Sequence, residues 1–463
     1  MQYISTRGAA PVLDFEQAMM TGLARDGGLY LPQEVPVLTA DQIRDLNGLS
    51  YEQAALRIIR PFIGDSFSET ELQSAIGNAY RDFGHVARAP LTQLQPGHFL
   101  LELFHGPTLA FKDFAMQLIG QLFRIALTRS GQRITIVGAT SGDTGSAAIE
   151  AFRGLPNVDV FILYPHGRVS EVQRRQMTTP DDTNVHALAL TGDFDDCQAR
   201  LKDLFNDHDF RDRVGLAGVN SINWARVLAQ VVYYFTSAVS LGAPDREVDF
   251  TVPTGNFGDI FAGEIARRMG LPIRRLVVAT NQNDILHRAL ETGEYRMTGV
   301  QPSISPSMDI QVSSNFERAL YLAYGGDPAP VRQVMDELRT TGGFTISQGA
   351  LQALRETFAS GRASEAETEA TIRATFAETG EVVCPHSAVA IKVAAEHLDP
   401  AVPMITLATA HPAKFPDAVE AAMGRRPDLP PHMKALFDQP ERITRVENDA
   451  AALKSLILER RAA

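Results

Sequence analysis

The sequence predicts an α/β fold: two parallel sheets, each a three-layer αβα sandwich, with a cleft between them. Three observations carry this. From Phe99 onward, short apolar runs of strand length alternate with segments of helical period, the pattern of a parallel sheet covered on both faces. The alternation runs twice, over about 99–240 and again over about 241–463, and a long apolar helix from about Asn223 to Ser240 separates the two series. Two glycine-bearing loops, 138–148 and 254–259, the first also rich in hydroxyls, each sit between a strand and a helix, where α/β proteins hold anions.

Taken in order, residues 1–98 stand outside the alternation. They carry short helical patterns, Phe15 to Leu23 and Tyr51 to Ile59, broken by proline-bearing loops, and read as an N-terminal accessory domain. The first helix of the alternating region places Phe114, Leu118, Leu122 and Ile125 on one face and stops at Ser130-Gly131. Asp113 falls in its first turn, where a carboxylate complements the helix dipole. Strands Ile134 to Val137, Val158 to Tyr164 and Val185 to Leu190 follow, spaced by helices. Those helices run over Ser146 to Phe152, from a Ser170 N-cap with Gln173 at capping-box spacing, and over Phe194 to Phe205. The second series has strand Val248 to Val252, helix Gly258 to Met269 and strand Ile273 to Thr280. Residues of about 282–378 break the pattern. After QPSISPSM they read as helices (Phe316 to Tyr324, Val331 to Leu338, Glu365 to Ala377), a helical insertion in the second domain. Helix Ser387 to Leu398 and strand Met404 to Leu407 then resume the sheet pattern, so this last strand must pack with elements laid down much earlier.

Composition narrows the functional class. A chain of 463 residues exceeds what one core usually serves. Its formal net charge of -12 argues against nucleic-acid or anionic-membrane partners, which need basic faces, but not against a small anionic substrate met by a few arginines in a cleft. Cys197 and Cys384 are too few for a disulfide framework and too far apart for a local metal motif, so a cytoplasmic setting is expected. The opening MQYISTRGAAP lacks a basic-then-apolar signal, and polar residues interrupt the longest apolar stretch, Val227 to Ala243; no membrane span is expected. The pattern implies no particular oligomeric state, and a monomer is compatible with it.

Four stretches carry candidate chemistry. In HGPTLAFKDF, residues 105–114, Lys112 stands among Leu109, Ala110 and Phe111 just before the first helix. Apolar surroundings lower an amine's pKa and suit Schiff-base chemistry; the alternative is a lysine whose head simply reaches water. GATSGDTGSAA, residues 138–148, converges hydroxyls and amides on a helix start, yet it is neither a P-loop nor a dinucleotide fingerprint, and its plain alternative is a tight turn. TGNFGD, residues 254–259, has no lysine or arginine, as befits a loop that holds a phosphate with backbone amides. NSINWAR, residues 220–226, opens the long helix: Asn220, Ser221 and Asn223 can cap it, while Arg226, three residues on from Asn223, lies on the same face and can reach a phosphate bidentately.

HGPTLAFKDF, TSGDTGSAA, PTGNFGD and TAHPAKF, in this order, resemble the signatures of threonine synthases, pyridoxal-phosphate-dependent enzymes of fold type II. YISTRG and GLARDGGLYLP resemble the same family's opening, and the likeness runs to about residue 420; LTGDFDDCQ departs slightly from the family form. The resemblance implies that the cleft holds pyridoxal 5'-phosphate, with Lys112 as its Schiff-base lysine. Thr140, Ser141, Gly142, Asp143 and Thr144 would then hold the substrate's α-carboxylate. Gly255, Asn256, Phe257 and Gly258, with Asp259 closing the loop, would hold the cofactor phosphate. Thr409 would meet the pyridine nitrogen, where a neutral hydroxyl makes a milder electron sink than a carboxylate and favours elimination and replacement. Asn220, Ser221, Asn223, Arg226 and Lys414 fall to the substrate, although His411 and Lys414 can equally be structural. The implied reaction turns O-phospho-L-homoserine and water into L-threonine and phosphate. Its rivals are a related phospho-lyase releasing a keto acid and ammonia, and a pyridoxal-phosphate-binding protein without turnover.

Overall fold

The computed structural model describes residues 1–461. Among these the strands collect into two large sheets and two small antiparallel two-stranded sheets. The five-stranded sheet has the spatial order Thr444–Val446, Val185–Leu190, Val158–Pro165, Ile134–Ala139, Leu216–Ala217, all parallel. The six-stranded sheet runs Phe358–Arg362, Ile273–Thr280, Val248–Pro253, Met404–Ala408, His98–Glu102, Leu91–Gln95, parallel except for its last pair. Val158–Pro165 is buried at every position, because helices cover both faces of its sheet; this is why such strands read as continuous apolar runs. The expected late strand, Met404–Ala408, lies between His98–Glu102 and Val248–Pro253, joining segments laid down early in the chain.

The helices between them start where local chemistry starts them. Ser170 and Gln173 form the expected capping box, each side chain accepting from the other's amide at 3.2 Å. Trp224–Ser240 is capped by Asn223, whose Oδ1 accepts from Ala225 N at 3.0 Å. That helix is buried over nearly its whole length, and it packs on Lys112–Ser130, on Gly258–Arg268 and on Tyr51–Ile63. It therefore ties both sheets and the N-terminal region into one apolar core.

Two expectations need correction. The sheets do not follow the borders at 98 and 240. Leu91–Gln95 and His98–Glu102 form an antiparallel pair at the edge of the six-stranded sheet, and Thr444–Val446 completes the edge of the five-stranded one. Parallel strands are joined by crossovers rather than by hairpins, so a free sheet edge can be extended by a segment from anywhere in the chain. Nor is the insertion purely helical. Phe358–Arg362, with sequence FASGR, is the edge strand beside Ile273–Thr280, and Glu294–Arg296 pairs with Gly343–Thr345. An edge strand with one large apolar residue presents no apolar run to read.

His98 shows what this burial costs. Its Nε2 meets Thr406 Oγ1 at 2.8 Å across the pair His98–Glu102 and Met404–Ala408, and burial pushes its pKa down to about 4. The folded state disfavours the charged imidazole, so stability is unaffected above the unfolded value near 6.5 and is lost as pH falls from there toward 4. At a pH of about 5 the loss is on the order of 2 kcal/mol. Apparent melting temperatures at neutral pH and at about pH 5 should therefore differ less in His98→Gln than in the unsubstituted protein.

Candidate active site

Three of the parallel strands end at one cleft, of about 840 Å3. Ile134–Ala139 leads into loop 140–144, Val248–Pro253 into loop 254–259, and Met404–Ala408 into Thr409; all three loops line the cleft. Lys112 joins them because Phe111 N donates to Thr409 O at 2.8 Å and His411 N to Leu109 O at 3.0 Å. These bonds staple the lysine segment to the end of the late strand.

Lys112 is the first residue of its helix, not the residue before it. It is only 9% exposed; its Nζ lies 4.8 Å from the centre of the Phe111 ring and 3.4 Å from Asp143 Oδ2. Burial pushes its pKa below the usual lysine value, nearby Arg226 and Lys414 push the same way, and Asp143 opposes them.

In loop 140–144, Thr140 Oγ1 accepts from the amides of Gly142 and Gly145, both at 2.9 Å, which fixes the turn. Gly142 has φ +136°, and a Cβ there would fall within 2.5 Å of the Gln173 side chain. The helix Asp143–Phe152 begins here, and its first amides have no intrahelical acceptor. Ser141 and Thr144 line the cleft, while Gly142 contributes to the turn behind it. The side chain of Asp143 cannot hold a carboxylate, which leaves only its backbone amide for the expected role. It is a buried anion held by Lys414, Gln173, Lys112 and Ser307. Burial alone would raise its pKa, but Lys414 and Lys112, with His386 and Gln173 adding, hold it well below the usual carboxylate range.

Loop 254–259 is shaped for an anion. Phe257 caps the helix Gly258–Arg268 with φ +62° and no side-chain bond, and the first helical hydrogen bond runs from Phe261 N to Phe257 O. The amides that open the helix are thus uncommitted within it. The backbone of Asn256 is fixed from outside, its carbonyl accepting from Asn315 N and Nδ2, both at 3.0 Å. The Phe257 ring points into the core, against Phe316 and Phe358. Asp259 accepts from Tyr233 at 2.5 Å and Tyr234 at 3.1 Å, leaves Oδ2 without a partner, and is pushed up to about 6 by burial.

At the long helix, Asn220, Ser221 and Arg226 line the cleft. Arg226 is buried, donates to Val219 O at 3.3 Å, and has an unpartnered Nε and no carboxylate partner among the described residues. Burial pushes its guanidinium down to about 10. Asn223, expected beside it, faces away: its Nδ2 donates to Met19 O and Gly218 O, and its Oδ1 caps the helix. An N-cap side chain folds back on its own helix, so the shared-face argument does not apply to it. Lys414 is also displaced from its expected role. It is wholly buried outside the cleft lining, donating to Thr108 O at 2.7 Å and pairing with Asp143. His411 takes the structural alternative: its Nδ1 accepts from Ala413 N at 3.1 Å, and burial pushes it down to about 4.

Sequence reasoning missed Ser307 and His386. Ser307 comes from the QPSISPSM stretch, read only as a break, and it enters the cleft with its amide donating to His386 Nε2 at 3.1 Å. The density of proline and serine was a visible sign of a shaped loop, but its partner lies on a distant helix.

A buried lysine, two amide-lined anion loops on the ends of parallel strands, and a cleft of small-molecule size match the parts of pyridoxal phosphate: aldehyde, ring and phosphate ester. Gly255 adds a specific fit, since a Cβ there would sit 2.6 Å from Ser307 O; only a bare backbone closes this wall. Fold and site together define a pyridoxal-phosphate-dependent enzyme of fold type II. The family model for pyridoxal-phosphate-dependent enzymes matches residues 83–409, flanked by the models for the threonine synthase N terminus over 2–80 and the threonine synthase C-terminal region over 387–457. The chain is 49% identical to the threonine synthase of Pseudomonas aeruginosa, with 99% of this chain and 98% of that one covered. Against the threonine synthase of Saccharomyces cerevisiae the identity is 41%, covering 99% and 97%. The pyridoxal-phosphate-bound threonine synthase from Brucella melitensis superposes with a TM-score of 0.97 at 56% identity, each chain fully covered. The Escherichia coli threonine synthase does so at 0.84 and 34%, again over both full chains. The chain belongs to the threonine synthase family.

Proposed function

We propose that the protein converts O-phospho-L-homoserine and water to L-threonine and phosphate. The observation that carries this reading is the meeting, in one cleft, of buried Lys112, two separate anion loops and the unpaired guanidinium of Arg226. Pyridoxal phosphate, when bound, supplies the electron sink that lets protons leave the α- and β-carbons and phosphate leave the γ-carbon. The amides of Gly255, Asn256, Phe257, Gly258 and Asp259 would hold its phosphate ester, and the Thr409 hydroxyl would meet its ring nitrogen. Asp259 would contribute its amide only, because its side chain turns away to Tyr233 and Tyr234, whose hydroxyls both hold its Oδ1. The amides of Ser141, Asp143 and Thr144, with the Ser141 and Thr144 hydroxyls, would hold the substrate's α-carboxylate, while the Thr140 and Gly142 amides are committed to the strand end and the turn. Lys112 Nζ moves the α- and β-protons, a task suited to an amine whose burial favours its neutral form. Arg226 meets the departing phosphate, with Asn220 and Ser221 beside it. Enclosure of these groups keeps water away until the β-carbon is ready to accept it. The buried, unpaired cysteines favour a reducing cytoplasm, and a single chain supplies every group named here.

Arg226→Lys should lower kcat/KM by about tenfold or more, because a point charge cannot reproduce the bidentate fork, while the cofactor stays bound. The same change at Arg268, a partly exposed residue paired with Glu264, should leave kinetics unaltered. Equal kinetics in both variants would return Arg226 to a structural role.

Oxygen labelling tests the reaction itself. Expulsion of phosphate from carbon keeps the bridging oxygen on phosphorus, and water then attacks the β-carbon. In water enriched in heavy oxygen, the threonine hydroxyl should carry label and the first-released phosphate should not. Labelled phosphate with homoserine as product would mean ester hydrolysis, and unlabelled phosphate with a keto acid and ammonia would mean the phospho-lyase.

A further inference from the structure

One buried anion stands between two buried cations beside the cleft. Asp143 Oδ1 faces Lys414 Nζ at 3.1 Å, and its Oδ2 faces Lys112 Nζ at 3.4 Å. Gln173 Nε2 at 2.9 Å and Ser307 Oγ at 3.3 Å complete the shell of this carboxylate. Lys414 is wholly buried and outside the cleft lining. Its backbone carbonyl accepts from Ser170 Oγ at 2.8 Å, so its position is fixed at both ends. Hydrogen bonding alone does not account for a lysine here. The Thr108 carbonyl it reaches also accepts from Gln176 Nε2 at 3.1 Å, and beside Asp143 Lys414 adds a positive charge that a neutral donor would not.

We propose that Lys414 is a positioning residue, which locks Asp143 against Lys112 and keeps that carboxylate compensated when Lys112 gives up its proton. The inference rests on the pyridoxal-phosphate reading and deepens it. Only a neutral amine can attack an aldehyde: the Lys112 lone pair forms the carbon–nitrogen bond, and the aldehyde oxygen leaves as water with the two amine hydrogens. With Lys112 neutral and no second cation, Asp143 would be a buried, unpaired carboxylate, a costly state that would hold the proton on the lysine. With Lys414 present, the trio passes from one net positive charge to neutrality. Three other titratable groups lie near Lys112. Arg226 also opposes its protonation, Asp259 when ionised favours it, and His386, pushed by burial down to about 4, is neutral at the pH of the test.

The test follows capture of pyridoxal phosphate by the cofactor-stripped full chain, monitored by absorbance across a pH series. In Lys414→Met, capture at neutral pH should slow about tenfold, the effect of a one-unit change in an amine's titration, with its pH midpoint moved upward. Lys414→Arg should restore the midpoint. Lys414→Gln keeps hydrogen-bonding atoms without charge, should fold even where the methionine variant does not, and should show the same upward movement. An unmoved midpoint in the glutamine variant would overturn the proposal, whether or not its KM for O-phosphohomoserine changes; a raised KM with an unmoved midpoint would make Lys414 a substrate contact. Capture needs no substrate, so failure to turn over O-phosphohomoserine would refute the reaction and leave this result standing. No capture by the unsubstituted chain would overturn both.

Discussion

Lys112→Ala should lower kcat by about 10³-fold or more, and borohydride should no longer fix the cofactor to the protein. The size of the effect follows from the site. Lys112 is the buried amine at which the lysine segment, the end of the late strand and the Asp143 carboxylate converge, and Lys414 is sequestered behind that carboxylate. A lost attacking group at such a position has no nearby substitute, and the residual rate comes only from binding and from the anion loops. The fold should survive the change. Removing a buried ammonium relieves its desolvation, and Asp143 keeps Lys414, Gln173 and Ser307 as partners. Melting temperatures of the two cofactor-free proteins should therefore lie close together, separating a chemical defect from a folding defect. In the unsubstituted protein, reduction should mark the peptide containing Lys112. A marked peptide elsewhere in Lys112→Ala would move the assignment to another lysine.

How much of this was legible in the sequence depends on whether the deciding contact is local. The two strand-turn-helix loops were legible because a strand, a tight turn and a helix start impose their residues within a few positions: Thr140 binds the amides of Gly142 and Gly145, and Phe257 adopts its left-handed conformation next to Gly258. Ser170 with Gln173 and the Asn223 cap were legible for the same reason. Contacts made across the fold were not. Lys414 and Asp143 lie far apart in the chain, and nothing around either announces the pair; Lys414 in TAHPAKF reads equally well as a cleft residue. Asn223 starts the helix as expected but lies outside the cleft, because its side-chain amide is drawn to the distant Met19 carbonyl as well as to that of Gly218, five residues back. The sheet borders failed similarly. Leu91–Gln95 and Thr444–Val446 are short edge strands whose membership is decided by partners distant in sequence.

Gly255→Asp should strip the protein of pyridoxal phosphate, weakening its binding by about a hundredfold or more. Two effects act together. The first is space: a Cβ at Gly255 would lie 2.6 Å from Ser307 O and 3.0 Å from Ile310 Cδ1, so either loop 254–259 or the segment carrying Ser307 must move. The same loop depends on outside support, since the Gly255 carbonyl accepts from Ser313 Oγ at 2.6 Å, and displacement would disturb the amides that open the helix Gly258–Arg268. The second is charge: a carboxylate roughly 6 Å from a phosphate costs about 3 kcal/mol per unit charge at an effective dielectric of ~20, which alone is about a hundredfold. Gly255→Ala separates the terms, keeping the clash without the charge, and should bind the cofactor better than Gly255→Asp but worse than the unsubstituted protein. Ser141→Ala supplies the opposite contrast. It removes one hydroxyl from the other loop, and it should raise KM by about tenfold through one lost charge-assisted hydrogen bond while the absorbance of bound cofactor persists. Titrating the stripped proteins with pyridoxal phosphate by absorbance, followed by substrate kinetics, reads both effects. Equal loss of cofactor in Ser141→Ala and Gly255→Asp would refute the division of labour between the two loops.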